Sequence, residues 1–375
     1  MERLVDILKG IWLVILCGLG GALLASTGLS IGWMIGSLLM SAMLSFWKPA
    51  FLKIPDSQSN SMQIWLRTGQ CLLGIELGLQ LNLSVLRIFM ENSITIIIVL
   101  ALSLVFSLGS GFLLYKICKM DMLTSFFSTA PGGLSAMPGM AQEAGANTGV
   151  VTIIQTIRIF LVVMIVPFFV LGANPLASTP PSFFGGVEGF NYGQMGWTLV
   201  LALAAWGGFH VGKILKLPAP WLVGSMLTVA FFQASGSLIA GMDLIAWWPD
   251  SFMIVSQIMI GASVGSKFNK AMFVGMKKIL VVSSLSTVAF IFMMILCAYI
   301  DSRMTGMTFM TTSLAFAPGG VAEMTATSVA LESDPMFVVA VQVLRVLMVY
   351  VTLPPLFKFL NHRANQKNRH PDLSA

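Results

Sequence analysis

The sequence predicts an all-α, polytopic membrane protein made of two inverted repeats. Each repeat is expected to hold about five transmembrane helices and one further helix that a Pro-Gly-Gly motif breaks. Three observations lead to this prediction. The chain is too apolar for a soluble protein, its second half repeats its first, and its Lys and Arg residues collect on one side under an inverted topology.

The composition is that of a protein surrounded by lipid. Of 375 residues, 57% are hydrophobic and 10% are charged, and the mean hydropathy is +0.88. Soluble domains carry about 25% charged residues, because charge covers a surface in contact with water. A membrane span needs roughly 20 apolar residues. The stretches without Asp, Glu, Lys or Arg that are long enough for spans are 10–47, 92–115, 217–242 and 279–300.

An internal repeat organises the chain. Residues 130–137 read APGGLSAM and residues 317–324 read APGGVAEM, at an offset of 187. One further match needs an offset longer by one residue: WMIGSLL at 33–39 and WLVGSML at 221–227. Ordered matches over most of each half indicate a duplication. The same offset of 187 pairs Gln70, Gly74, Gly78, Gln155, Arg158 and Pro167 with Gln257, Gly261, Gly265, Gln342, Arg345 and Pro354.

The repeat divides the chain into four parts. Residues 1–172 form the first membrane repeat, and residues 193–360 form the second. Between them, residues 173–192 contain three prolines and three glycines and are predicted to be an extracytoplasmic loop. Residues 361–375 are predicted to be a polar cytoplasmic tail.

The orientation follows from Lys and Arg, which accumulate in cytoplasmic loops. If five segments cross in each repeat, the repeats are inverted, both termini are cytoplasmic, and 17 of the 21 Lys and Arg residues lie inside. If six segments cross, the repeats are parallel and the split falls to 12 inside against 7 outside. The inverted topology is therefore favoured, although the count does not identify the segment that fails to cross.

The two broken helices are the strongest candidates for a functional site. Proline removes a backbone donor and glycine weakens a helix, and free backbone groups in hydrocarbon must be satisfied by protein or water. Breaks at matching positions of inverted repeats are how many secondary transporters build a binding site. The alternative is a kink that only serves helix packing. The residues of the two breaks are Pro131, Gly132, Gly133, Pro318, Gly319 and Gly320.

An arginine follows each break by 27 residues inside an apolar run. Arg158 and Arg345 are each preceded at three residues by a glutamine, Gln155 or Gln342, which lies on the same helix face. An arginine inside a membrane needs a partner in the protein interior. It either binds an anionic group of a substrate or holds a carbonyl of the broken helix or an acidic side chain.

Two acidic residues are candidates for proton or ion coupling. Glu323 follows the second break, and Glu76 lies in the apolar run LLGIELGLQL. Burial favours the protonated carboxyl, so either residue is suited to carry a proton. Simple pairing with an intramembrane arginine is the alternative. The repeat places Ala136 opposite Glu323 and Ser263 opposite Glu76, so a role for either carboxylate is asymmetric.

The composition argues against several other classes of function. Four cysteines without CxxC spacing and three histidines, two of them in the tail, give no cluster of metal ligands. We therefore predict no metal, no cofactor and no enzymatic activity. No segment outside the membrane is long enough for a nucleic-acid-binding domain. The expected surroundings are the lipid bilayer and a small-molecule or ion substrate, and the oligomeric state, a homo-oligomer included, stays open.

The paired PGG units with their downstream Gln/Arg helices resemble the AbrB-duplication family of bacterial membrane proteins. The resemblance runs from about Trp33 to Pro354 and implies the bacterial cytoplasmic membrane. The family pattern PGGxxEM is matched by Glu323 and Met324, whereas Ala136 departs from it in the first repeat. Such proteins are labelled ammonia monooxygenases or regulators of gene expression. The breaks also resemble the crossover helices of bile-acid-symporter-like carriers, at the level of the fold.

These observations favour a secondary transporter of a small solute, with proton coupling as an option. Its site would lie between the two breaks and be lined by the arginines and the two glutamates. The alternative is a membrane-embedded sensor of the AbrB type that regulates gene expression through a partner without net transport.

Overall fold

The computed structural model describes residues 2–47, 60–81, 90–133, 137–173, 192–241, 244–273 and 275–369. Within these ranges the chain is all-helical and contains 14 α-helices and no strand, as predicted. The first half holds α1 (Glu2–Ala25), α2 (Gly32–Trp47), α3 (Asn60–Gln80), α4 (Ser93–Cys118), α5 (Met122–Thr129), α6 (Met137–Glu143) and α7 (Thr148–Ala173). The second half holds α8 (Tyr192–Ile214), α9 (Pro220–Ala240), α10 (Asp250–Gly265), α11 (Lys277–Thr305), α12 (Phe309–Phe316), α13 (Val321–Ala330) and α14 (Pro335–Arg369). The predicted loop 173–192 lies almost entirely outside the described residues, and α14 continues into the predicted tail.

Among the described residues, six helices are long and apolar enough to cross a membrane: α4, α7, α8, α9, α11 and α14. In α7 and α14, 61% and 56% of the most apolar window is buried, against 22–33% in the other four. A multi-pass helical protein must bury its central helices and expose its peripheral ones to lipid. We conclude that α7 and α14, which carry the Gln/Arg pairs, form the centre of the molecule.

The helices follow the same order in both halves, and their packing is reciprocal. Helix α2 packs on α1 and α10, while α9 packs on α8 and α3. A Cβ atom at Gly74 would lie 2.7 Å from Leu222 O, and one at Gly261 would lie 2.6 Å from Met34 O. These glycines therefore allow close helix packing. This reciprocity supports the predicted duplication, and both the duplication and its inversion stay predictions.

Each broken stretch forms a hairpin. The end of the first stretch returns to its start, because Asn147 N donates to Thr124 Oγ1 at 2.8 Å. The second closes in the same way, with Asp334 N donating to Thr311 Oγ1 at 3.2 Å. Helices of eight residues span only about 12 Å, too little for the hydrocarbon layer. We therefore expect the hairpins to be the segments that fail to cross under the inverted topology.

The first helix of each hairpin begins at a capping side chain and ends just before a proline. The Asp121 carboxylate caps α5 by accepting from Thr124 N at 2.8 Å, and the Thr308 hydroxyl caps α12 by accepting from Thr311 N at 3.3 Å. Such caps satisfy the free N–H groups at a helix start. Both helices end one residue before an alanine that precedes proline, since the residue before a proline is forced out of the helical conformation.

Candidate functional site

The two breaks begin with the same turn, although Gly133 has φ = +86° and Gly320 has φ = −87°. Gly132 N donates to Ala130 O at 2.9 Å, and Gly319 N donates to Ala317 O at 2.8 Å. A methionine side chain, Met137 or Met324, then folds over the first glycine and is itself fully buried. Each break therefore leaves carbonyl groups of its first helix without partners in that helix, and they need donors from elsewhere.

Gln155 and Arg158 supply those donors at the first break. Gln155 Nε2 donates to Phe127 O and Ala130 O, both at 2.9 Å. Arg158 Nη1 donates to Thr129 O at 2.8 Å and to Ala130 O at 3.0 Å. Arg158 Nη2 also donates to Gln155 Oε1. The pair on α7 thus holds the carbonyl end of α5.

Gln342 and Arg345 do the same at the second break. Arg345 Nη1 donates to Ala317 O, and its Nη2 donates to Gly319 O at 2.7 Å and to Gln342 Oε1. The Gln342 side chain completes the cap. Its Nε2 donates to three carbonyl oxygens, those of Leu314 at 2.9 Å and of Ala315 and Ala317 at 3.1 Å.

This geometry fits the structural alternative for the arginines, in which they hold the broken helices. Both side chains are only 2% exposed, and neither lines the cavity between the breaks. Their guanidinium groups are close enough to repel each other. The Nε atoms of Arg158 and Arg345 lack a partner in the described part of the molecule. The arginines therefore support the site from behind its backbone wall.

A cavity of about 80 Å³ lies between the two breaks. Of the predicted substrate-binding residues, four line it: Gly132, Gly133, Gly320 and Glu323. Pro131, Pro318 and Gly319 belong to the breaks but do not line it. Glycines from both halves thus present backbone to one space.

Glu323 closes this cavity at the start of α13. Gly320 is the N-cap of that helix, and the Glu323 carboxylate packs against it where a Cβ atom would otherwise stand. A helix N-terminus favours a negative charge. Lys267, in the loop after α10, interacts electrostatically with this carboxylate. Burial lowers the pKa of the Lys267 ammonium, and the nearby Glu323 opposes that shift.

The small cavity adjoins a vestibule of about 750 Å³. The two share four lining residues, Leu66, Gln70, Ala219 and Lys267. The vestibule extends between α3, the end of α8 and the start of α9, and three basic side chains line it: Arg67, Lys213 and Lys267. The arrangement is a wide basin that narrows to the two breaks.

Comparison with known proteins assigns the family. Residues 57–361 match the family model described as "Transition state regulatory protein AbrB". The chain belongs to the AbrB family. Among curated relatives in this family, "Uncharacterized protein YhjN" of Bacillus subtilis (strain 168) is 44% identical over 98% of this chain and 97% of its own length. "Putative regulator AbrB" of Escherichia coli (strain K12) is 27% identical over 80% of this chain and 83% of its own.

Glu76 lies apart from the cavity of this AbrB-family protein. Its carboxylate accepts from Gln80 Nε2 at 2.6 Å, and it interacts electrostatically with Asp250 at the start of α10. No lining residue of either cavity is Glu76. The two predicted coupling residues, Glu76 and Glu323, are therefore not brought together.

Sequence reasoning missed Lys267 and Gln70 as lining residues. Gln70 was visible as a repeated residue, paired with Gln257 at the offset of 187, but nothing in the pattern placed it in a cavity. Lys267 is one of the 17 Lys and Arg residues that the inverted topology places inside, and a lysine in a loop gives no other signal in the sequence. The described residues contain no group of three or more His, Cys, Asp or Glu side chains able to hold a metal ion.

Proposed function

We propose that this AbrB-family protein is a secondary transporter of a small solute, with its binding site in the cavity between the two breaks. One observation carries the proposal: backbone from both broken hairpins lines a single cavity that adjoins a wide vestibule. Irregular backbone at membrane depth is tolerated where it lines a cavity, and transporters use such breaks to bind substrate. We also propose that the membrane is the bacterial cytoplasmic membrane.

The two halves contain equivalent residues that would exchange roles in a second state, as alternating access requires. The vestibule contains Gln70, and its partner in the repeat is Gln257 on α10. Gln257 is 1% exposed, and both polar atoms of its side chain lack a partner in the described structure. Buried amides are normally hydrogen-bonded. In a state with the roles of the halves exchanged, Gln257 would face a vestibule on the opposite side.

Helices α3 and α10 are placed for this exchange. They contact each other at Gly69 and Ser256, which are themselves partners at the offset of 187, and Ser256 Oγ donates to Gly69 O at 3.0 Å. A contact between equivalent residues lies near the axis that would relate the halves. Rocking of one repeat against the other about a fixed site is the common form of alternating access in such folds.

The regulator alternative draws on the printed name of the Escherichia coli relative. A sensor needs a surface for a cytoplasmic partner, and the sequence offers only short segments there. A cavity between the breaks would serve a sensor as well as a transporter, so the choice rests on the cytoplasmic surface. Transport is therefore preferred.

Accessibility from the two sides tests the proposal without a known substrate. In a background free of Cys17, Cys71, Cys118 and Cys297, single cysteines replace Gln70 and Gln257. An impermeant thiol reagent is expected to label Gln70→Cys from the cytoplasmic side and Gln257→Cys from the outside, although Gln257 is buried here. Labelling of Gln257→Cys from neither side would argue for a static protein and against transport.

The same reagent tests the inverted topology. Cysteines at Ser182, in the loop between the repeats, and at Asn269, near the start of α11, are expected to react from opposite sides of the membrane. Reaction of both cysteines from the same side of the membrane would refute the inverted topology. The cavity between the two breaks would then have no explanation. These two variants also serve as side markers for the experiment above.

Glu323 is the residue we propose for proton coupling, because it is the one carboxylate among the described residues that line the small cavity. Glu323→Gln keeps the shape of the side chain and removes its titration. Once a solute is identified, this variant is expected to lose accumulation driven by a pH gradient and to retain exchange of labelled for unlabelled solute. Undiminished accumulation by Glu323→Gln would exclude Glu323 as the proton carrier.

A further inference from the structure

The walls of the vestibule carry an unbalanced positive charge. Among the residues that the structure describes, Arg67, Lys213 and Lys267 line it, and no acidic residue does. The first carboxylate on the inward path is Glu323, in the small cavity beyond, where it faces Lys267. A cleft lined by charges of one sign raises the local concentration of the opposite ion.

Topology alone does not account for this charge. Lys and Arg on the cytoplasmic side are expected of any membrane protein, and Lys277 is such a residue, exposed and away from both cavities. Lys267 differs from it. It is half-buried and lines the vestibule and the small cavity together. A lysine pays for burial in lost hydration, so its place at the passage between the two spaces indicates a role there.

The remaining walls of the vestibule are largely apolar. Met62, Leu66, Phe209, Trp221 and Met272 supply aromatic and aliphatic surface next to the basic groups. Ligand sites of this kind use apolar walls for the body of a ligand and a few polar groups for its orientation. A fully hydrated inorganic anion would gain nothing from such walls, whereas a carboxylate attached to an apolar body matches both kinds of surface.

We infer that the transported solute is a small organic acid, which enters through this vestibule as its carboxylate and reaches the breaks by way of Lys267. The inference rests on the proposed transport function and names its substrate class. At the breaks the solute meets the start of α13, where the Glu323 carboxylate now lies against Gly320. The organic anion would take over the electrostatic interaction with Lys267 that Glu323 has in this state.

The sign of the electrostatic potential in the vestibule is measured with a single cysteine in place of Thr152. This residue lines the vestibule and is close to cysteine in size. Two methanethiosulfonate reagents are compared, the anionic sulfonatoethyl and the cationic trimethylammonioethyl compound. For each reagent, the reaction rate with the cysteine is divided by the rate of the same reagent with a small thiol in solution. The anionic reagent is expected to be favoured by about tenfold or more. Equal rates, or a preference for the cationic reagent, would overturn the inference.

Variants that remove positive charges identify the residues that cause the preference for the anionic reagent. Lys267→Gln is expected to reduce it several-fold, and Lys277→Gln, the matched control, to leave it unchanged. Should Lys267→Gln fold poorly, the exposed pair Arg67→Gln and Lys213→Gln provides the same test. A preference that survives loss of all three lining charges would contradict the assignment.

Protection experiments test the substrate class separately. Carboxylates from lactate to benzoate are expected to slow the reaction of Thr152→Cys with neutral methyl methanethiosulfonate, and the matched amides and amines are not. Protection by amides or amines, or by none of the carboxylates, would overturn the organic-acid assignment. The transport proposal would still stand if Gln70→Cys and Gln257→Cys react from opposite sides, so the two failures are distinguishable.

Discussion

Replacing Arg345 by glutamine is expected to lower the free energy of unfolding by several kcal/mol and to reduce the yield of folded protein. The substitution leaves two buried acceptors, Gly319 O and Gln342 Oε1, without the donor that they have in the structure. Each buried group left unpaired costs about 1–3 kcal/mol. Relief of the repulsion from Arg158 offsets part of this loss.

The measurement is the thermal stability and monodispersity of the purified variants. Arg303→Gln is the control, because Arg303 is an exposed arginine near the end of α11 whose Nη2 donates only to Tyr299 Oη at 3.2 Å. Its substitution should change stability little. Arg345→Lys should be intermediate, since a lysine keeps the charge but lacks the planar fork that reaches two carbonyls. An Arg345→Gln protein of normal stability that fails to bind solute would instead favour a direct substrate contact.

The sequence was sufficient to locate the breaks and the helices that support them. Proline and glycine at matching positions fixed where α5 and α12 end, and the three-residue spacing put each glutamine and arginine on one face of α7 or α14. The glycine pairs on α3 and α10 have the GxxxG spacing that is typical of close helix packing, and a Cβ at any of them would meet a neighbouring helix. These features depend on local propensity and helical periodicity, which a single sequence records.

Other features depend on contacts between distant segments, and the sequence did not reveal them. The contact of Asn147 with Thr124 makes the first break a hairpin, and no periodicity predicts it. The partners of Arg158 are backbone carbonyls, which carry no signature in the amino-acid sequence. Lys267 lies in a loop, where a lysine normally indicates only the side of the membrane.

Leucine at Gly133 and Gly320 is expected to abolish solute binding while the protein still inserts and folds. Gly133 has φ = +86°, a conformation that a residue with a side chain adopts only at a cost of about 1–2 kcal/mol. At Gly320, a side chain would occupy the space in which the Glu323 carboxylate now lies. Both substitutions also place bulk in a cavity of about 80 Å³.

The control for these substitutions is a glycine outside the breaks whose replacement by leucine meets no neighbouring residue. Gly109→Leu on α4 is suitable, since no atom lies within 4 Å of the position where its Cβ would stand. Gly20 is unsuitable, because a Cβ there would lie 2.6 Å from Met40 Cβ and 2.9 Å from Gly36 O. Gly109→Leu is therefore expected to retain both folding and binding.

Ligand-induced stabilisation of these variants tests the central claim, that the cavity between the breaks is the solute-binding site. Purified wild-type protein is screened by thermal shift against small solutes, carboxylates first. A ligand at 100 times its Kd should stabilise the wild type and Gly109→Leu by about 2.7 kcal/mol. The same ligand is expected to give the double variant Gly133→Leu/Gly320→Leu no stabilisation. Equal stabilisation of the double variant would show that the breaks are packing kinks and that the solute binds elsewhere.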